Sequence, residues 1–399
     1  MKGLIKITLG VCLFASAVVS AQAGFSSLYV FGDTLSSTAD PTAPGPPYFY
    51  GQRDSNGRVW VEVLAQRQGL IFDNAKNNSY WDHNSGLLAA ELNKFTPPAD
   101  VATALFVVWV CNADTFDAAS TAINSQNQNT TFLLNQFVNA NIQAQANDLQ
   151  IILNLYAKGV RTLVLPNAVD ISEIPAFNQG SLTSVLRSGC VDYNARFAAT
   201  IKQAKSLCPG LTIYTPDFYT LLNNVLANPD NFGLVNALSG GYSIDAYSDS
   251  SITDLTLNGK GANYIFWDPQ DPTAKFHAII ADVAQQIISP VAISKLTVRN
   301  GANRLDLVNV PIGLNGVVES SPNWTLASWT AVTNLNSSSL TQSLVVNAPP
   351  LPPSTPAGGT GGNGSIDPND PNNQGGTYIA PTNSALFYRL HFPFAWSWP

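Results

Sequence analysis

Short apolar runs alternate with amphipathic stretches from Ser26 to about Pro290. The run Ala104–Val110 is apolar without interruption, which is typical of a strand buried on both faces of a sheet. In Gly57–Gln68 the apolar residues recur at helical spacing instead. This alternation predicts an α/β fold, in which a parallel sheet carries helices on both faces. Ligands in such folds bind beyond the carboxyl ends of the strands.

The same patterns give the bounds of the predicted elements. We expect strands at Ser27–Phe31, Ala104–Val110, Val160–Leu165 and Leu211–Tyr214, and helices at Gly57–Gln68, Phe132–Lys158, Val191–Ser206 and Ala274–Ile288. One of these helices separates Cys190 from Cys208 by about 27 Å. A disulfide needs Cα atoms within about 7 Å of each other. We therefore predict that these two cysteines are not bridged.

The pattern changes after Pro290 to short strands with turn residues between them, which predicts an all-β region. We expect strands at Ile293–Val298, Arg304–Val308, Gly316–Glu319, Trp329–Val332 and Ser343–Val346. A Pro/Gly-rich stretch near 349–373 predicts a loop or linker. The apolar, aromatic tail 385–399 is interpreted as a strand that returns to the β-region, with a sorting or interaction tag as the alternative.

The first residues have the pattern of a signal peptide. Lys2 and Lys6 form a cationic start, Ile7–Val19 is apolar, and Ala21-Gln22-Ala23 matches a cleavage site. The apolar run is too short for a stable transmembrane anchor, which needs about 20 residues; a membrane helix is the alternative. We predict a signal peptide at 1–23, an α/β domain at 24–290 and a β-rich domain at 291–399. The mature protein is then secreted, periplasmic or at the cell surface.

Charge and cysteine content exclude several classes of function. The chain has 19 basic and 26 acidic residues, a net charge of −7, so it lacks the basic surplus of nucleic-acid-binding proteins. Its four cysteines and three histidines show no zinc-type spacing. We therefore expect no nucleic-acid partner, no metal and no cofactor.

Four polar blocks lie where a parallel sheet would place a site. They are Val30–Ser36 after the first strand, Pro46–Trp60, Val108–Asp114 at the end of a core strand, and Phe266–Thr273 before the last helix. In this order they resemble the GDSL family of SGNH esterases and lipases, over about 26–288. The resemblance implies a three-layer α/β/α fold and hydrolysis of carboxylic esters, with a small-molecule, lipid or carbohydrate ester as substrate.

The resemblance also assigns the catalytic positions, and this chain differs from the family at two of them. The family uses a Ser after Gly-Asp and a His three residues after an Asp. Here the nucleophile position is Thr34, Asp268 matches, and the His position is Asp271. A hydroxyl needs a base to become a good nucleophile, and a carboxylate with a pKa near 4 is a weak one. Proximity to Asp268 would raise the pKa of Asp271.

The oxyanion hole of the family is formed by a Gly and an Asn. Gly57 matches the Gly. The Asn position is Ala113, although Asn112 is adjacent, and a Gly of the same block is Cys111. We take Gly57 and Asn112 as the candidate oxyanion donors.

These substitutions predict weak or lost hydrolysis. Loss of a triad His costs on the order of 10⁶ in turnover, and loss of an oxyanion donor costs about 10²–10³. The alternative is a non-catalytic binding module whose cleft, with Tyr48, Phe49, Tyr50 and Trp60 near it, holds an acyl or carbohydrate ligand. A third alternative is a structural role for the β-region and tail.

Other titratable residues offer further alternatives. His277, in the last helix, is expected to face solvent or a neighbouring helix, whereas His83 is expected at the surface and His391 has no predicted role. The carboxylates Asp33, Asp114, Asp268 and Asp271 form either a hard-cation site or, for Asp33 and Asp114, hydrogen-bonded scaffold.

Overall fold

A computed structural model describes residues 24–299, 302–321, 329–347 and 386–393. The predicted signal peptide at 1–23 and the predicted linker near 349–373 lie outside these ranges.

A five-stranded parallel sheet forms the centre of the α/β region. Its strands are β1 Leu28–Gly32, β2 Asn77–Ser79, β3 Leu105–Trp109, β4 Thr162–Val164 and β5 Thr212–Tyr214. The order across the sheet is β2-β1-β3-β4-β5, and every neighbouring pair is parallel. The chain therefore leaves β1 in one direction to reach β2 and in the other to reach β3. Such a reversal opens a crevice at the carboxyl ends of β1 and β3.

Seven helices surround this sheet. They are α1 Trp60–Arg67, α2 Ser85–Glu91, α3 Cys111–Ile123, α4 Thr130–Ala157, α5 Thr183–Leu207, α6 Phe218–Ala227 and α7 Ala274–Ile288. Helix α1 packs against α7, and α4 packs against α5. This arrangement confirms the predicted three-layer α/β/α fold.

Apolar side chains of β3 fill the centre of the core. Every residue of Leu105–Trp109 is buried, as its uninterrupted apolar run predicts. At the carboxyl end of this strand the ring of Trp109 packs edge-on against Trp60 and Phe218, with centroids 5.4 and 4.9 Å away. The indole of Trp60 also donates a 3.0 Å hydrogen bond to Ser36 Oγ. The aromatic cluster thus supports the turn that follows β1.

The remaining strands of the described chain are short and antiparallel. A hairpin joins β6 Leu238–Ser239 to β7 Tyr242–Ser243. Two further sheets have three strands each, and together they contain β8 Ala292–Arg299, β9 Ala302–Val308, β10 Gly316–Ser321, β11 Thr330–Leu335, β12 Gln342–Asn347 and β13 Phe387–His391. Their orders are β12-β9-β8 and β11-β10-β13. The pairing of β13 with β10 confirms a returning strand in the C-terminal tail. The predicted domain boundary after residue 290 falls between α7 and β8 and stays a prediction.

A buried ion pair connects the helices to the β-region. Arg67 Nε lies 2.6 Å from Asp282 Oδ1, which joins α1 to α7. The same guanidinium donates to the carbonyl of Ile312 at 3.1 Å, and the backbone N–H of Ile312 donates to the carbonyl of Arg67 at 3.2 Å. Removing one partner of a buried pair leaves an uncompensated charge, so these contacts fix both neighbours of α1.

The cysteines that the structure describes are all free thiols. Cys111, Cys190 and Cys208 are buried, and none is in a disulfide. This confirms the prediction that the helix between Cys190 and Cys208 keeps them apart.

Close packing of α4 on α5 makes a specific prediction at Gly189. A Cβ at this position would lie 2.5 Å from the ring of Phe137. We expect Gly189→Ala to lower the free energy of unfolding by about 1–3 kcal/mol through overpacking, although Gly→Ala inside a helix is ordinarily stabilising. Urea denaturation measures the change. Gly180→Ala is the control, because the nearest atom to its Cβ is 3.8 Å away; equal stability of both variants would contradict the close approach.

Candidate active site

The first site residue lies in a tight turn at the end of β1. Asp33 is followed by a single 3-10 turn, Thr34–Ser36, and its Oδ1 accepts a 3.1 Å hydrogen bond from the backbone N–H of Leu35. Gly32 is required just before it, since a Cβ there would lie 2.7 Å from the Cβ of Ser36. The turn places Thr34 at the carboxyl edge of the sheet. The first N–H groups of such a turn lack intrahelical partners, so the N–H of Thr34 is available to a ligand.

The structure brings Thr34 and Asp271 together. The hydroxyl of Thr34 lies close enough to the carboxyl of Asp271 to lower the pKa of that carboxyl as a donor. Thr34 is 8% exposed and Asp271 is 3% exposed, so the pair is shielded from bulk water. The residue at the predicted base position therefore contacts the residue at the predicted nucleophile position. Their catalytic roles stay predictions at this point.

Asp268 holds the turn that carries Asp271. Its Oδ1 accepts hydrogen bonds from the backbone N–H groups of Gln270 at 2.9 Å and Asp271 at 2.8 Å. The N–H of Trp267 donates to the carbonyl of Asp271 at 2.8 Å and closes the turn from the other side. Asp268 thus holds the backbone of the turn that carries Asp271.

Buried carboxyl groups surround the Thr34 hydroxyl without a basic side chain to compensate them. Burial raises the pKa of Asp33 and of Asp268 to about 7, and that of Asp54 to about 6. Burial also raises the pKa of Asp271 well above its usual value, and the nearby charges of Asp268, Asp54 and Asp33 raise it further. The hydroxyl of Thr34 opposes this rise. Asp271 consequently becomes a carboxylate at higher pH than an exposed Asp, and it is then a stronger base.

Gly57 lies on a loop that is bound to the start of α7. A Cβ at Gly57 would approach the Cβ of Ala274 to 2.6 Å. Next to it, Asn56 Oδ1 accepts a 2.7 Å hydrogen bond from the N–H of Ala274, and Ser55 Oγ donates to the carbonyl of Pro272 at 3.0 Å. The second and fourth sequence blocks are therefore joined beside Asp271. The role of Gly57 as an oxyanion donor stays a prediction.

Asn112 is part of the scaffold of the site. It lies at the start of α3 and is fully buried, and its Oδ1 accepts a 3.1 Å hydrogen bond from the N–H of Val169. Its amide group faces the carboxyl of Asp33 and lowers that pKa, without a hydrogen bond of normal geometry. The side chain that lines the pocket beside Thr34 is Ala113. The proposed oxyanion role of Asn112 is a prediction that would require its amide to turn.

Two cavities adjoin the Thr34 turn. One has a volume of about 100 Å³, and Thr34, Trp81, Phe116 and Phe177 are among its lining residues. The other, of about 30 Å³, is almost entirely apolar and includes Leu35 and Pro272 in its lining. Gln270 lines both cavities. The arrangement offers a larger opening for one side of a ligand and a small apolar space for the other.

One histidine prediction needs correction, and for another the structure excludes one of two alternatives. His83 was expected at the surface but is fully buried: its Nδ1 lies 3.0 Å from the carbonyl of Gly32, and its ring stacks on Tyr80 at 4.1 Å. It lies beneath the Thr34 turn, where the polar sequence around it gave no sign of burial. His277 does not face solvent, because it is 1% exposed, and burial lowers its pKa to about 3. The imidazole of His277 is therefore neutral and buried, and it does not replace the histidine that the family has at position 271.

The aromatic residues expected in the cleft divide into two groups. Trp60 and Phe49 are buried in the core. Tyr48 and Tyr50 are exposed.

The hard-cation alternative finds no support in the described part of the chain. There, no group of three or more His, Cys, Asp or Glu side chains is arranged to hold a metal ion. Asp114 accepts hydrogen bonds from Ser85 through its N–H at 3.1 Å and its hydroxyl at 2.8 Å, as expected of a scaffold residue.

Known proteins similar to this chain include plant and bacterial esterases. No family model matches the chain. Two GDSL esterases/lipases of Arabidopsis thaliana are 28% identical over 164 residues and 26% identical over 140 residues, which is 36% and 32% of this chain. The matches span 40% and 37% of those relatives, about two fifths of their length. The resemblance to GDSL esterases and lipases is thus confirmed for part of the chain.

Solved structures that align with this protein share little of its sequence. Phospholipase A1 from Streptomyces albidoflavus is 12% identical, with a TM-score of 0.39, and covers 66% of this chain and 100% of its own. An acetylxylan esterase from Geobacillus stearothermophilus is 13% identical, with a TM-score of 0.38, and covers 67% and 95%. The fold assignment rests on the strand order of the chain itself.

Burial of Asp33 predicts a pH dependence of stability. A carboxyl whose pKa is near 4 when unfolded and about 7 when folded binds its proton more tightly in the folded protein. Its stabilising contribution is complete below pH 4 and is lost as pH rises through 7, by up to about 4 kcal/mol. We expect Asp33→Asn, which keeps an oxygen for Leu35, to flatten this decline between pH 4.5 and 8 in urea denaturation.

The control is Asp230→Asn at an exposed position outside the cluster, which should leave the pH profile unchanged. A parallel decline in wild type and Asp33→Asn would show that Asp33 does not titrate as its burial requires.

Proposed function

We propose that this protein is a carboxylic ester hydrolase of low turnover, with Thr34 as the nucleophile and Asp271 as the general base. One observation carries the proposal: the hydroxyl of Thr34 lies next to the carboxyl of Asp271 and lowers its pKa, beside a pocket that Thr34 lines. Similarity to GDSL esterases/lipases supports the reaction class over the matched part of the chain.

The proposed reaction runs in two halves. Asp271, as a carboxylate, takes the proton of the Thr34 hydroxyl while Oγ1 attacks the ester carbonyl carbon. The N–H groups of Thr34 and Gly57 donate to the oxyanion that forms. The C–O bond to the alcohol then breaks, and the alcohol leaves with the proton from Asp271. In the second half Asp271 takes a proton from water while the hydroxide attacks the acyl carbon on Thr34. The bond from that carbon to Oγ1 then breaks, Oγ1 takes the proton back from Asp271, and the acid is released.

Three features of the site limit the rate. The methyl group of Thr34 restricts its χ1 angle and crowds the attacking oxygen. Asp271 is protonated until the pH exceeds its raised pKa, so at a given pH a smaller fraction of the protein is competent than with an exposed Asp. Oxyanion donation relies on backbone groups while the amide of Asn112 faces Asp33, which forgoes a donor worth about 10²–10³ in rate.

A second candidate function is binding without cleavage. It is favoured by the same raised pKa, since a protonated Asp271 would hold a ligand and leave Thr34 inactive. Under this alternative the pocket binds a ligand saturably, and binding survives Thr34→Ala.

We also propose export of the protein on the basis of residues 1–23, and an exported form without a membrane anchor. Of the helices that the structure describes, none is long and apolar enough to cross a membrane.

Substitution of the paired residues tests the catalytic roles. With p-nitrophenyl acetate and residues 24–399, we expect slow turnover in wild type and background rates in Thr34→Ala and Asp271→Asn. Thr34→Ser combined with Asp271→His should raise turnover by at least about 10², because an imidazole is a base near neutral pH. The control is Thr121→Ala, an exposed hydroxyl on α3 outside the Thr34 pocket, which should retain wild-type turnover.

Each result separates the candidates. Equal turnover in wild type and Thr34→Ala would exclude Thr34 as the nucleophile. No turnover in wild type, together with turnover in the double variant, would favour the binding alternative.

The pH profile tests the base. We expect kcat/KM for p-nitrophenyl acetate, corrected for spontaneous hydrolysis, to rise with pH well above the range in which an exposed Asp ionises, since Asp271 must lose its proton first. Asp54→Asn removes a neighbouring charge and should shift the rise to lower pH. A profile already flat at pH 5 would indicate an ordinary exposed carboxylate and would contradict the assignment.

A further inference from the structure

The pocket beside Thr34 combines aromatic and acidic side chains. Trp81, Phe116 and Phe177 form its aromatic lining. Its carboxyl groups are those of Asp33, Asp82 and Asp117, and no Lys, Arg or His from the described residues lines it. Its volume is about 100 Å³, roughly three times the share of one water molecule in the liquid.

A backbone hydrogen bond and a ring contact support the aromatic lining of the pocket. Trp81 is 50% exposed, yet its backbone N–H donates a 2.7 Å hydrogen bond to Asp40 Oδ2, which fixes the chain at that point. Phe116 and Phe177 pack against each other with centroids 5.4 Å apart and planes tilted by 38°. The aromatic part of the pocket is therefore built before any ligand enters.

The carboxyl groups are close to one another and lack cationic partners. The charge of Asp82 is among the causes that raise the pKa of Asp117, after burial, while Asn84 Nδ2 donates to Asp117 Oδ2 at 2.9 Å. Asp82 has a left-handed backbone with φ of 61°, a conformation that is uncommon for a residue with a side chain and is found at binding sites. Ion pairs among the described residues involve neither of them.

A third carboxyl faces the same space from the floor. Asp33 is 4% exposed and lines the pocket, and its Oδ2 has no hydrogen-bond partner, whereas its Oδ1 is used by Leu35. The amide of Asn112 faces this carboxyl, and burial raises its pKa to about 7. The ionisable groups that line the pocket are all acidic, which favours a cation over an anion.

We propose that this pocket binds a quaternary ammonium group, so that the preferred ester has a cationic, choline-type alcohol. Aromatic faces attract such a cation through the negative charge of their π-systems, and carboxylates add to the attraction. A quaternary ammonium group has no N–H donors, so an aromatic wall costs it no hydrogen bonds. A metal ion would instead need several oxygen ligands. The part of the inference that concerns ester cleavage rests on the proposed function, whereas binding does not.

Choline and 3,3-dimethylbutanol make a matched pair of probes, since they have the same shape and differ by one positive charge. Isothermal titration of residues 24–399 should show choline binding at least about tenfold tighter than 3,3-dimethylbutanol. The Thr34→Ala variant should retain this preference, because Thr34 does not carry the charge recognition.

Two substitutions test the pocket itself. Trp81→Ala and Asp117→Asn should each weaken choline binding by about 3- to 30-fold and leave 3,3-dimethylbutanol binding nearly unchanged. Asp230→Asn removes an exposed acid far along the chain and should bind choline like wild type. Circular dichroism checks that each variant is folded, and Asp117→Asn, which is nearly isosteric, is informative if Trp81→Ala is not folded.

Hydrolysis is measured separately with acetylcholine and its uncharged analogue 3,3-dimethylbutyl acetate. Preferential choline binding without cleavage of either ester would support this inference while the proposed function fails. Cleavage of both esters at equal kcat/KM, with choline bound no better than 3,3-dimethylbutanol, would overturn the inference and leave the proposed function intact. Absence of measurable choline binding at millimolar concentration would also overturn it.

Discussion

The close approach of Thr34 and Asp271 joins the two ends of the α/β region in one buried, acidic site. It exists because the sheet order places β1 beside β3 and opens a crevice at their carboxyl ends. Gly32 lets the turn after β1 close tightly, and Asp268 fixes the backbone on the other side. The remaining interactions of the site serve to hold these two short turns against each other.

Burial gives this site a chemistry different from that of a serine–histidine pair. An imidazole has an ordinary pKa close to neutral and can act as a base there, whereas a carboxyl becomes a useful base only when its pKa is raised. Here desolvation and neighbouring aspartates raise the pKa of Asp271, and the same charges make the ionised site costly to form. In the proposed reaction, basicity would be gained at the expense of the fraction of molecules in which Asp271 is ionised. The unpaired carboxyls also give the adjoining pocket its preference for positive charge.

Much of the fold was predictable from local patterns. The helix predicted at Ala274–Ile288 has those bounds in the structure, and the uninterrupted apolar run predicted the central strand β3, because burial on both faces leaves no other pattern. Sequence patterns did not predict α3, whose first turn follows β3 without a loop. They also missed α2, which has only seven residues. A helix of two turns has little periodicity to detect.

The site was predictable only in its residue positions. The four blocks identified Thr34 and Asp271, but their contact depends on the order of strands across the sheet, which is a long-range property. His83 lies in a polar stretch and is buried through bonds to the distant Gly32 carbonyl and stacking on Tyr80. The orientation of the Asn112 amide towards Asp33 is likewise set by tertiary contacts. Local sequence contains no signal for any of these.

Covalent labelling tests the Thr34–Asp271 pair most directly. Residues 24–399 are incubated at pH 9 with an alkyl fluorophosphonate, and the adduct is located by peptide mass spectrometry. Thr34 Oγ1 should displace fluoride and form one phosphonyl ester per chain, and Asp271→Asn should abolish labelling. Unlabelled protein, or an adduct that persists in Asp271→Asn or lies on another residue, would contradict the account.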